Sequence, residues 1–313
     1  MNDSRAIELR DLAKSYGSVH AVRGISLDVH PGEIFGFLGL NGAGKTTAIR
    51  ILLDLLRPSR GTARIFGIDC QGDGRSARSK VGYTPGELGL YPDMTGRQLL
   101  NLTGALSGGR VDDAYRMSLV DRLELARADL DRTLREYSTG MKRKLGLVQA
   151  MQADPPLLIL DEPTEGLDPL VQLALNDLLF DLRSRGRTVF MSSHVLSEVE
   201  RLCDRIAVIR AGEIVLLSTV DDARRLGGRT VRVRFETPPA AVETIALPAG
   251  MTIVERSGDR WTINAEGEIG ALLPALARLP VRDLEIGEPS LEEVLQRFYR
   301  EAGPGPQPGG EAR

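Results

Sequence analysis

The chain has 313 residues, a formal net charge of −3, 42% hydrophobic residues and 27% charged residues. This length permits one or two domains with a sizeable buried core, and the composition is that of an ordinary soluble protein. The slight negative charge argues against nucleic acid as a partner, because a protein that neutralises phosphates needs an excess of Lys and Arg.

The cysteines and the apolar runs bear on the compartment. Cys70 and Cys203 are the only two cysteines, so no disulfide framework is implied and a reducing compartment is expected. The first residues contain no apolar run, so no signal peptide is predicted. No stretch approaches the roughly 20 apolar residues that a membrane helix needs. If the protein acts at a membrane, another chain is expected to cross it.

Residues 5–217 alternate short apolar runs with amphipathic helical patterns. The predicted strands are Ile34–Leu38, Leu157–Leu160 and Thr188–Met191, and the predicted helices are Thr47–Leu56, stopped by Pro58, and Leu170–Arg185, closed by Gly186. This alternation indicates an α/β core with much parallel sheet. Residues 86–150 are rich in Leu, Arg and Asp, and we expect them to form a helical subdomain inserted into that core.

From about residue 218 the pattern becomes that of a small α+β domain, residues 218–300. Its predicted elements are a half-exposed strand at Thr230–Phe235, a hairpin around Ser257-Gly258-Asp259, a helix at Gly267–Leu279 with Leu272, Leu273, Leu276 and Leu279 on its apolar face, a strand at Val281–Ile286, and a last helix at Ser290–Tyr299 with a capping box at Ser290 and Glu293. Residues 301–313 are rich in Pro and Gly and are expected to be disordered.

A phosphate-binding pattern, G-x-x-x-x-G-K-[ST], lies between the first predicted strand and the helix that follows it. In such a loop, backbone N–H groups surround the phosphates, and the helix amino terminus adds positive potential. Lys45 is predicted to reach the β- and γ-phosphates of ATP, and Thr46 to bind Mg²⁺. The predicted ATP-binding residues of this segment are Gly39, Leu40, Asn41, Gly42, Ala43, Gly44, Lys45, Thr46 and Thr47.

Two acids, Asp161 and Glu162, end the apolar run Leu157–Leu160. A carboxylate there can hold Mg²⁺ opposite the phosphate loop, and we assign this role to Asp161 together with Thr46. Glu162 is the candidate general base for the attacking water. Carboxylates after a buried strand can also be simple caps, an alternative that the phosphate-binding pattern disfavours.

The run from Asp161 to Pro169, Asp-Glu-Pro-Thr-Glu-Gly-Leu-Asp-Pro, closely resembles the Walker B motif and D-loop of ABC ATPases, with Asp168 at the D-loop position. The resemblance covers residues 5–217. It implies the ABC-type P-loop NTPase fold with an inserted helical subdomain, ATP and Mg²⁺ as ligands, and hydrolysis of ATP.

A variant of that family's signature loop precedes the Walker B motif. Its residues are Ser138, Thr139, Gly140 and Met141. The family implies that they contact ATP bound by a second subunit; physically the segment is an N-cap at a helix start and an anion site, and a plain N-cap is the alternative. Leu106–Arg110 matches the usual letters better, but it lies far upstream and precedes a new helix, so we interpret it as an interhelical loop.

The resemblance singles out two further residues. His194 follows the strand Thr188–Met191 and matches the switch histidine that contacts the γ-phosphate, so we assign it to catalysis with Glu162. Tyr16 matches the aromatic residue that stacks on adenine, and a merely packed Tyr16 is the alternative.

Gly86 departs from the family pattern. A Gln normally stands at this position, where it contacts Mg²⁺ or the attacking water and links the site to the membrane partner. Gly86 has no side chain for this, and Glu87 or a water is the available substitute. The departure puts coupling, rather than ATP binding, in question.

The segment Glu288–Val294 resembles the C-terminal domain of bacterial exporter ATPases of the daunorubicin-resistance type. The implied function is hydrolysis of ATP to power export of a drug, antibiotic or lipid-like substrate through a separate permease, at the cytoplasmic face of a bacterial membrane. ATP is expected between Lys45 of one subunit and Ser138 of a second, in a homodimer. Leu90, Tyr91 and Met94 are either anchors for the permease or core residues.

Two other classes of function stay open at this point. A soluble ABC protein of DNA repair or translation typically carries two cassettes or coiled-coil insertions, and neither is seen here. A non-hydrolysing regulatory module is slightly favoured by Gly86, but Glu162 and His194 oppose it.

Overall fold

The computed structural model describes residues 5–107, 111–226, 228–237, 247–266, 268–287, 291, 292 and 294. The chain divides into two compact units, Met1–Leu217 and Ser218–Arg313, and each is considered by itself. The predictions for the tail 301–313, for most of the last helix Ser290–Tyr299 and for Gly108–Arg110 of the interhelical loop lie outside the described residues. Among the helices of the described part, none has the length and apolar character needed to cross a membrane.

The elements of the first unit run in chain order from β1 to β10. They are β1 Ile7–Tyr16, β2 Val19–Val29, β3 Ile34–Leu38, α1 Lys45–Leu52, β4 Arg60–Ile65, β5 Ile68–Asp69, α2 Gly74–Arg78, β6 Val81–Thr84, α3 Gly96–Leu106, α4 Asp113–Arg122, two 3₁₀ turns at Arg127–Asp131 and Leu134–Glu136, α5 Thr139–Met151, β7 Leu157–Asp161, α6 Pro169–Ser184, β8 Thr188–Ser193, α7 Leu196–Leu202, β9 Arg205–Arg210 and β10 Glu213–Thr219.

Two sheets build this unit. A six-stranded sheet has the order β10-β9-β3-β8-β7-β6, and β9, β3, β8, β7 and β6 pair in parallel. A four-stranded sheet has the order β2-β1-β4-β5 and is antiparallel where its pairs are registered. The predicted α/β core with much parallel sheet is therefore confirmed, whereas the antiparallel sheet was not predicted from the sequence.

The central strands are short apolar runs because both of their faces are covered. Every residue of β3, β7 and β8 is buried, as expected for parallel strands with helices on both sides. Phe35 and Phe190 stack at 5.8 Å between neighbouring strands. Since all parallel strands point the same way, residues that follow β3, β7 and β8 meet at one edge of the sheet.

The predicted helix Thr47–Leu56 is wrong at its carboxyl end, since α1 stops at Leu52. Asp54 has φ 54°, a left-handed conformation that leaves the helix before Pro58 is reached. The predicted helix Leu170–Arg185 is found as α6, and Gly186 follows it with φ 74°, as a C-terminal glycine should. The predicted helical segment 86–150 contains α3, α4, both 3₁₀ turns and most of α5.

The elements of the second unit are α8 Val220–Leu226, β11 Arg229–Phe235, β12 Met251–Ser257, β13 Arg260–Ala265, a 3₁₀ turn Ile269–Ala271, α9 Leu273–Leu276 and β14 Val281–Gly287. The strands form an antiparallel sheet of order β12-β13-β11-β14, including the predicted hairpin. Its core is apolar, and Phe235 packs edge-on against Trp261 at 4.8 Å.

The continuous helix predicted at Gly267–Leu279 is wrong. Its described part breaks into a 3₁₀ turn and the single turn α9, which begins next to Pro274. Proline lacks the N–H that an uninterrupted helix requires. The predicted apolar face fails at Leu273, which is 48% exposed, while Leu272 and Leu276 are buried.

Candidate functional site

The loop between β3 and α1 is shaped by glycines at close approaches. A Cβ on Gly39 would lie 2.5 Å from the carbonyl oxygen of Ile209, and a Cβ on Gly44 would lie 2.5 Å from that of Ala21. Gly44 also has φ 112°, which L side chains rarely adopt, and it leads directly into α1. The chain thus turns tightly around the amino terminus of α1, where free backbone N–H groups favour an anion.

Lys45 opens α1 and is only 5% exposed. Its Nζ donates to the carbonyl oxygen of Gly39 and lies 3.0 Å from Glu162 Oε1. The angles of this ion pair are not those of a hydrogen bond, so the buried Oε1 has no aligned donor. The buried cation Lys45 therefore links the phosphate loop to Glu162. Glu162 Oε1 can still accept a hydrogen bond from a further group.

Thr46 and Asp161 form a pair of oxygen donors. Thr46 Oγ1 donates to Asp161 Oδ2 at 3.1 Å, and Ser192 Oγ donates to Asp161 Oδ1 at 2.5 Å. Asp161 is 2% exposed. Two hard oxygens so placed fit Mg²⁺, which is usually held by one or two protein oxygens together with substrate phosphates and water.

Glu162 follows β7 with φ 50°, in the left-handed region that non-glycine residues seldom occupy. Its N–H is held by Ser192, with Oγ at 3.0 Å and the carbonyl oxygen at 3.3 Å. Its Oε2 lies 2.7 Å from Nδ1 of His194, which directly follows β8. The two residues predicted to be catalytic are thus in direct contact.

A cavity of about 870 Å³ opens beside these residues. Its lining includes Asn41, Thr46, Arg50, Tyr83, Pro85, Gly86, Glu87, Leu88, Thr139, Lys142, Arg143, Asp161, Glu162, Glu165 and Gly166. Burial, together with the charge of Asp161, raises the pKa of Tyr83 to about 12, so its hydroxyl keeps its proton at neutral pH.

The remaining predicted residues of the phosphate loop lie around this site. Leu40, Asn41 and Gly42 are exposed, Ala43 is buried, and Thr47 is partly buried on α1. Tyr16 ends β1 and is 50% exposed, which argues against the alternative of a merely packed ring.

Of the signature residues, Ser138 is the N-cap of α5 and accepts from the N–H of Met141 at 3.2 Å. Ser138 and Thr139 are exposed, and Thr139 lines the cavity. Gly140 lies close to Gly166, since a Cβ on Gly140 would be 3.4 Å from the carbonyl oxygen of Gly166. The structure thus brings the start of α5 to the segment after Glu162 of the same chain, and leaves the N-cap facing outward.

Asp168 caps α6 and accepts from the N–H of Val171 at 3.0 Å. Lys144 Nζ lies 3.8 Å from Asp168 Oδ2. Leu90, Tyr91 and Met94, for which the sequence left a core and a surface interpretation open, are not buried, and Tyr91 is 63% exposed.

Gly86 lies against Asp161. A Cβ at Gly86 would be 3.6 Å from Asp161 Oδ2, an ordinary van der Waals distance. A Cβ at this position therefore has room, and it would lie beside the predicted metal ligand.

Two charged residues of this region were not predicted from the sequence. Glu198, on α7, accepts from Thr164 Oγ1 at 2.8 Å. Burial, reinforced by the charge of Glu162, raises the pKa of Glu198, against the hydrogen bond from Thr164 and the nearby His194 and Arg201. Arg143 is 5% exposed, and desolvation lowers its pKa, against the charges of Glu165, Asp161 and Glu162. No local signal identifies either residue, because their partners are distant in sequence.

These contacts define what the site can do chemically. A buried cation and free N–H groups can hold phosphates, a hydroxyl and a carboxylate can hold a divalent ion, and a carboxylate touching an imidazole can take a proton from water. All of them lie at the carboxyl edge of the parallel sheet, where α/β folds bind their ligands.

Comparison with known proteins gives the family. The ABC transporter family model matches residues 22–165. The chain is 35% identical over 304 residues to the daunorubicin/doxorubicin resistance ATP-binding protein DrrA of Streptomyces peucetius, covering 93% of this chain and 92% of that protein. It is 39% identical to the bacitracin transport ATP-binding protein BcrA of Enterococcus faecalis, over 67% of this chain and 68% of that one.

Among solved structures, the chain resembles an ATP-binding subunit of an ABC transporter with a TM-score of 0.63 and 31% identity, covering 70% of this chain and 92% of that chain. The resemblance stated from the sequence is thereby confirmed, and with it an ATP-binding subunit of the ATP-hydrolysing type. The chain belongs to the family of ABC transporter ATP-binding proteins.

Proposed function

We propose that this protein binds ATP with Mg²⁺ at the site around Lys45, Asp161 and Glu162, and that hydrolysis there powers export through a separate membrane permease. The observation that carries this proposal is the convergence of Lys45, Thr46, Asp161, Glu162 and His194 at one edge of the sheet. These side chains come from the starts or ends of α1, β7 and β8, which are far apart in sequence.

Lys45 and the loop Gly39–Thr47 hold the phosphates of ATP. Lys45 exchanges part of its contact with Glu162 for the phosphates, which frees Glu162 to act on water. Thr46 and Asp161 hold Mg²⁺, and when bound this ion neutralises charge on the β- and γ-phosphates. Tyr16, half-exposed at the end of β1, offers its ring to adenine.

Glu162 is the general base that takes the proton of the attacking water. His194 contacts Glu162 Oε2 at 2.7 Å and can orient this carboxylate or reach the γ-phosphate. The left-handed backbone of Glu162, held by Ser192, directs the side chain between Lys45 and His194. The placement of Glu162 supports hydrolysis rather than a module that only binds ATP.

A second subunit completes the site. Ser138 and Thr139 are exposed at the amino terminus of α5, where an anion is stabilised. In a head-to-tail homodimer, Ser138, Thr139, Gly140 and Met141 of one subunit contact ATP held by Lys45 of the other, and Asp168 faces the same interface. Loss of the γ-phosphate on hydrolysis then releases these contacts.

The transported substrate is a drug, an antibiotic or a lipid-like molecule. The support is similarity to DrrA, a daunorubicin/doxorubicin resistance protein, and to BcrA, a bacitracin transport protein. The permease docks near Gly86 to Leu99, where Tyr91 is exposed, and it holds this protein at the cytoplasmic face of a bacterial membrane. Residues 5–217 are the ATP-binding domain, and residues 218–300 are an accessory domain.

The test is Glu162→Gln in the full-length protein. We expect kcat for ATP hydrolysis to fall by roughly 100- to 10,000-fold, the range of a general base, while ATP binding is kept because the phosphate loop is unchanged. ATP should then trap a dimer, measured by light scattering during size-exclusion chromatography. Glu285→Gln, an exposed acid of β14 whose distance to Arg232 is 3.8 Å, is the control and should hydrolyse ATP normally. Unchanged hydrolysis in Glu162→Gln would show that Glu162 is not the base.

A further inference from the structure

Arg143 carries a positive charge in a buried place. It lies in the second turn of α5 and is 5% exposed. Desolvation opposes the charged form and lowers its pKa, while Glu165, Asp161 and Glu162 favour the charge. A buried cation persists only where hydrogen bonds and opposite charges compensate for lost water, so Arg143 needs such partners.

The guanidinium joins two backbone segments that are distant in sequence. Its Nη1 donates to the carbonyl oxygen of Pro85 at 2.9 Å, and its Nε donates to that of Glu165 at 3.1 Å. Pro85 directly follows β6 and precedes Gly86, whereas Glu165 comes shortly after Glu162. A planar guanidinium with several fixed donors can span two carbonyls in this way, and a lysine ammonium is a point charge without that fork.

Further contacts tie the same three parts together. Gly140 of α5 lies close to Gly166, and Lys144 Nζ lies 3.8 Å from Asp168 Oδ2. On the other side, Thr84 Oγ1 donates to the carbonyl oxygen of Gly146 at 3.3 Å. Arg143 sits between these contacts and also lines the cavity that Thr46 and Asp161 share.

We infer that Arg143 is a positioning residue, which makes the segment Pro85–Leu88, the segment Glu165–Asp168 and the amino end of α5 respond together to events at Glu162. The inference rests on the proposed function, in which nucleotide draws Lys45 away from Glu162. Because the charges of Asp161 and Glu162 act on Arg143, a change in their partners alters the force on the guanidinium. That force is passed to Gly86 and to Ser138 through the two carbonyls and the helix, a contiguous physical link between sites.

The first test compares Arg143→Lys with Arg127→Lys in the full-length protein. Arg127 is an exposed arginine of the first 3₁₀ turn with a two-point contact to Asp121, so it is a matched control. Arg143→Lys keeps the charge and loses the fork. We expect its kcat to fall by about 10- to 100-fold, since small misplacements at a site cost this much, while KM for ATP stays within about threefold. Arg127→Lys should leave both parameters unchanged.

The second test needs no hydrolysis. Hydrogen exchange is measured without nucleotide on peptides spanning 85–88 and 165–168. In Arg143→Lys both peptides should exchange about fivefold faster, the effect of losing one net hydrogen bond on each side, and in Arg127→Lys neither should change. Unchanged exchange in both peptides, or faster exchange in only one, overturns the inference.

Two further outcomes keep the inference separate from the proposed function. If the wild type hydrolyses ATP and Arg143→Lys matches it in kcat, the inference fails and the proposed function stands. If the wild type does not hydrolyse ATP, the proposed function fails and the exchange experiment still decides about Arg143.

Melting temperatures are measured for Arg143→Lys and for Arg143→Gln. Both variants are then assayed well below their melting temperatures. If the loss of kcat vanishes under these conditions, Arg143 has a purely structural role and the inference is overturned.

Discussion

The six-stranded sheet and the antiparallel sheet of the second unit place their charged side chains differently. In the six-stranded sheet, β3, β7 and β8 are buried throughout, and polar side chains stand at or just beyond their carboxyl ends. In the antiparallel sheet of the second unit, charges lie along the strands. There, Arg234 Nε is 3.1 Å from Asp259 Oδ2 and Arg232 Nη1 is 3.8 Å from Glu285 Oε1, with all four side chains 40% to 69% exposed.

Burial decides what these charges can do. Surface ion pairs contribute about 0–1 kcal/mol, because water screens them and ordering the side chains costs entropy. Lys45 and Asp161 are 5% and 2% exposed, so their interactions act in a medium of lower dielectric constant and bear strongly on any bound phosphate. We therefore expect the reactive chemistry in the first unit, and we predict that removing a charge from the second sheet leaves hydrolysis unaffected.

The largest expected effect is that of removing the buried cation Lys45, compared with removal of an exposed cation from the second unit. Lys45→Met removes the buried ammonium that faces the phosphates, and we expect kcat/KM for ATP to fall by about 100-fold or more, since a preorganised charge of this kind contributes several kcal/mol. Arg234→Met removes an exposed cation of β11 and should change kcat/KM by less than about twofold. Phosphate release under steady-state conditions measures both.

The contrast between the two units is contradicted if Lys45→Met and Arg234→Met behave alike. A loss of hydrolysis in Arg234→Met similar to that in Lys45→Met would mean that the second sheet takes part in the reaction. Circular dichroism of both variants shows whether each is folded.

A smaller effect is expected from Gly86→Gln. A Cβ at this position has room at 3.6 Å from Asp161 Oδ2, so the new side chain starts beside the predicted metal ligand. We expect the Kd for ATP to stay within about threefold, because the phosphate loop is untouched. Stimulation of hydrolysis by the permease should change by a larger factor than Kd. Gly270→Gln, at an exposed position with no neighbour within 4 Å and outside the segment proposed to dock the permease, is the control. A large loss of ATP binding in Gly86→Gln would contradict this interpretation.

Much of the first unit could be predicted because its signals are local. The buried strands Ile34–Leu38 and Leu157–Leu160 are uninterrupted apolar runs, and the helix α6 ends at a glycine. The antiparallel sheet was missed because β1 and β2 mix apolar and charged residues with β-bulges, which breaks the alternation of a regular strand. In the second unit the predicted helix Gly267–Leu279 is interrupted near Pro274. This interruption could have been predicted from the sequence, because proline lacks the N–H that a continuous helix needs.

The site residues also differ in whether a local sequence signal identifies them. Lys45, Thr46, Asp161, Glu162 and His194 belong to short motifs, and the structure brings them together. Arg143 could not be found this way, because its partners Pro85 and Glu165 are distant in sequence and are backbone carbonyls, which any residue provides. Glu198 depends likewise on tertiary structure, since its place beside Thr164 and Glu162 follows from how α7 packs.

The smallest expected effect concerns Glu198. Its side chain is less buried than Lys45 and Asp161 and less exposed than the charges of the second sheet. It is partly buried, and desolvation is the main cause of its raised pKa; Glu162 adds to the rise, while Thr164, His194 and Arg201 oppose it. Because the folded pKa exceeds the unfolded one, the folded state holds this proton more tightly. Its contribution to the free energy of unfolding is therefore complete below the unfolded pKa and is lost as pH rises through the folded pKa.

Glu198→Gln removes the ionisation and keeps an oxygen that can accept from Thr164. The melting temperature of the variant, relative to that of the wild type, should rise as pH increases from about 4.5 to neutrality, by on the order of 1–3 °C. Glu213→Gln, an exposed acid of β10, is the control and should show a difference that does not change with pH. If the difference for Glu198→Gln falls with rising pH, the carboxylate is stabilised rather than strained, and Glu198 then belongs with the compensated charges of the site.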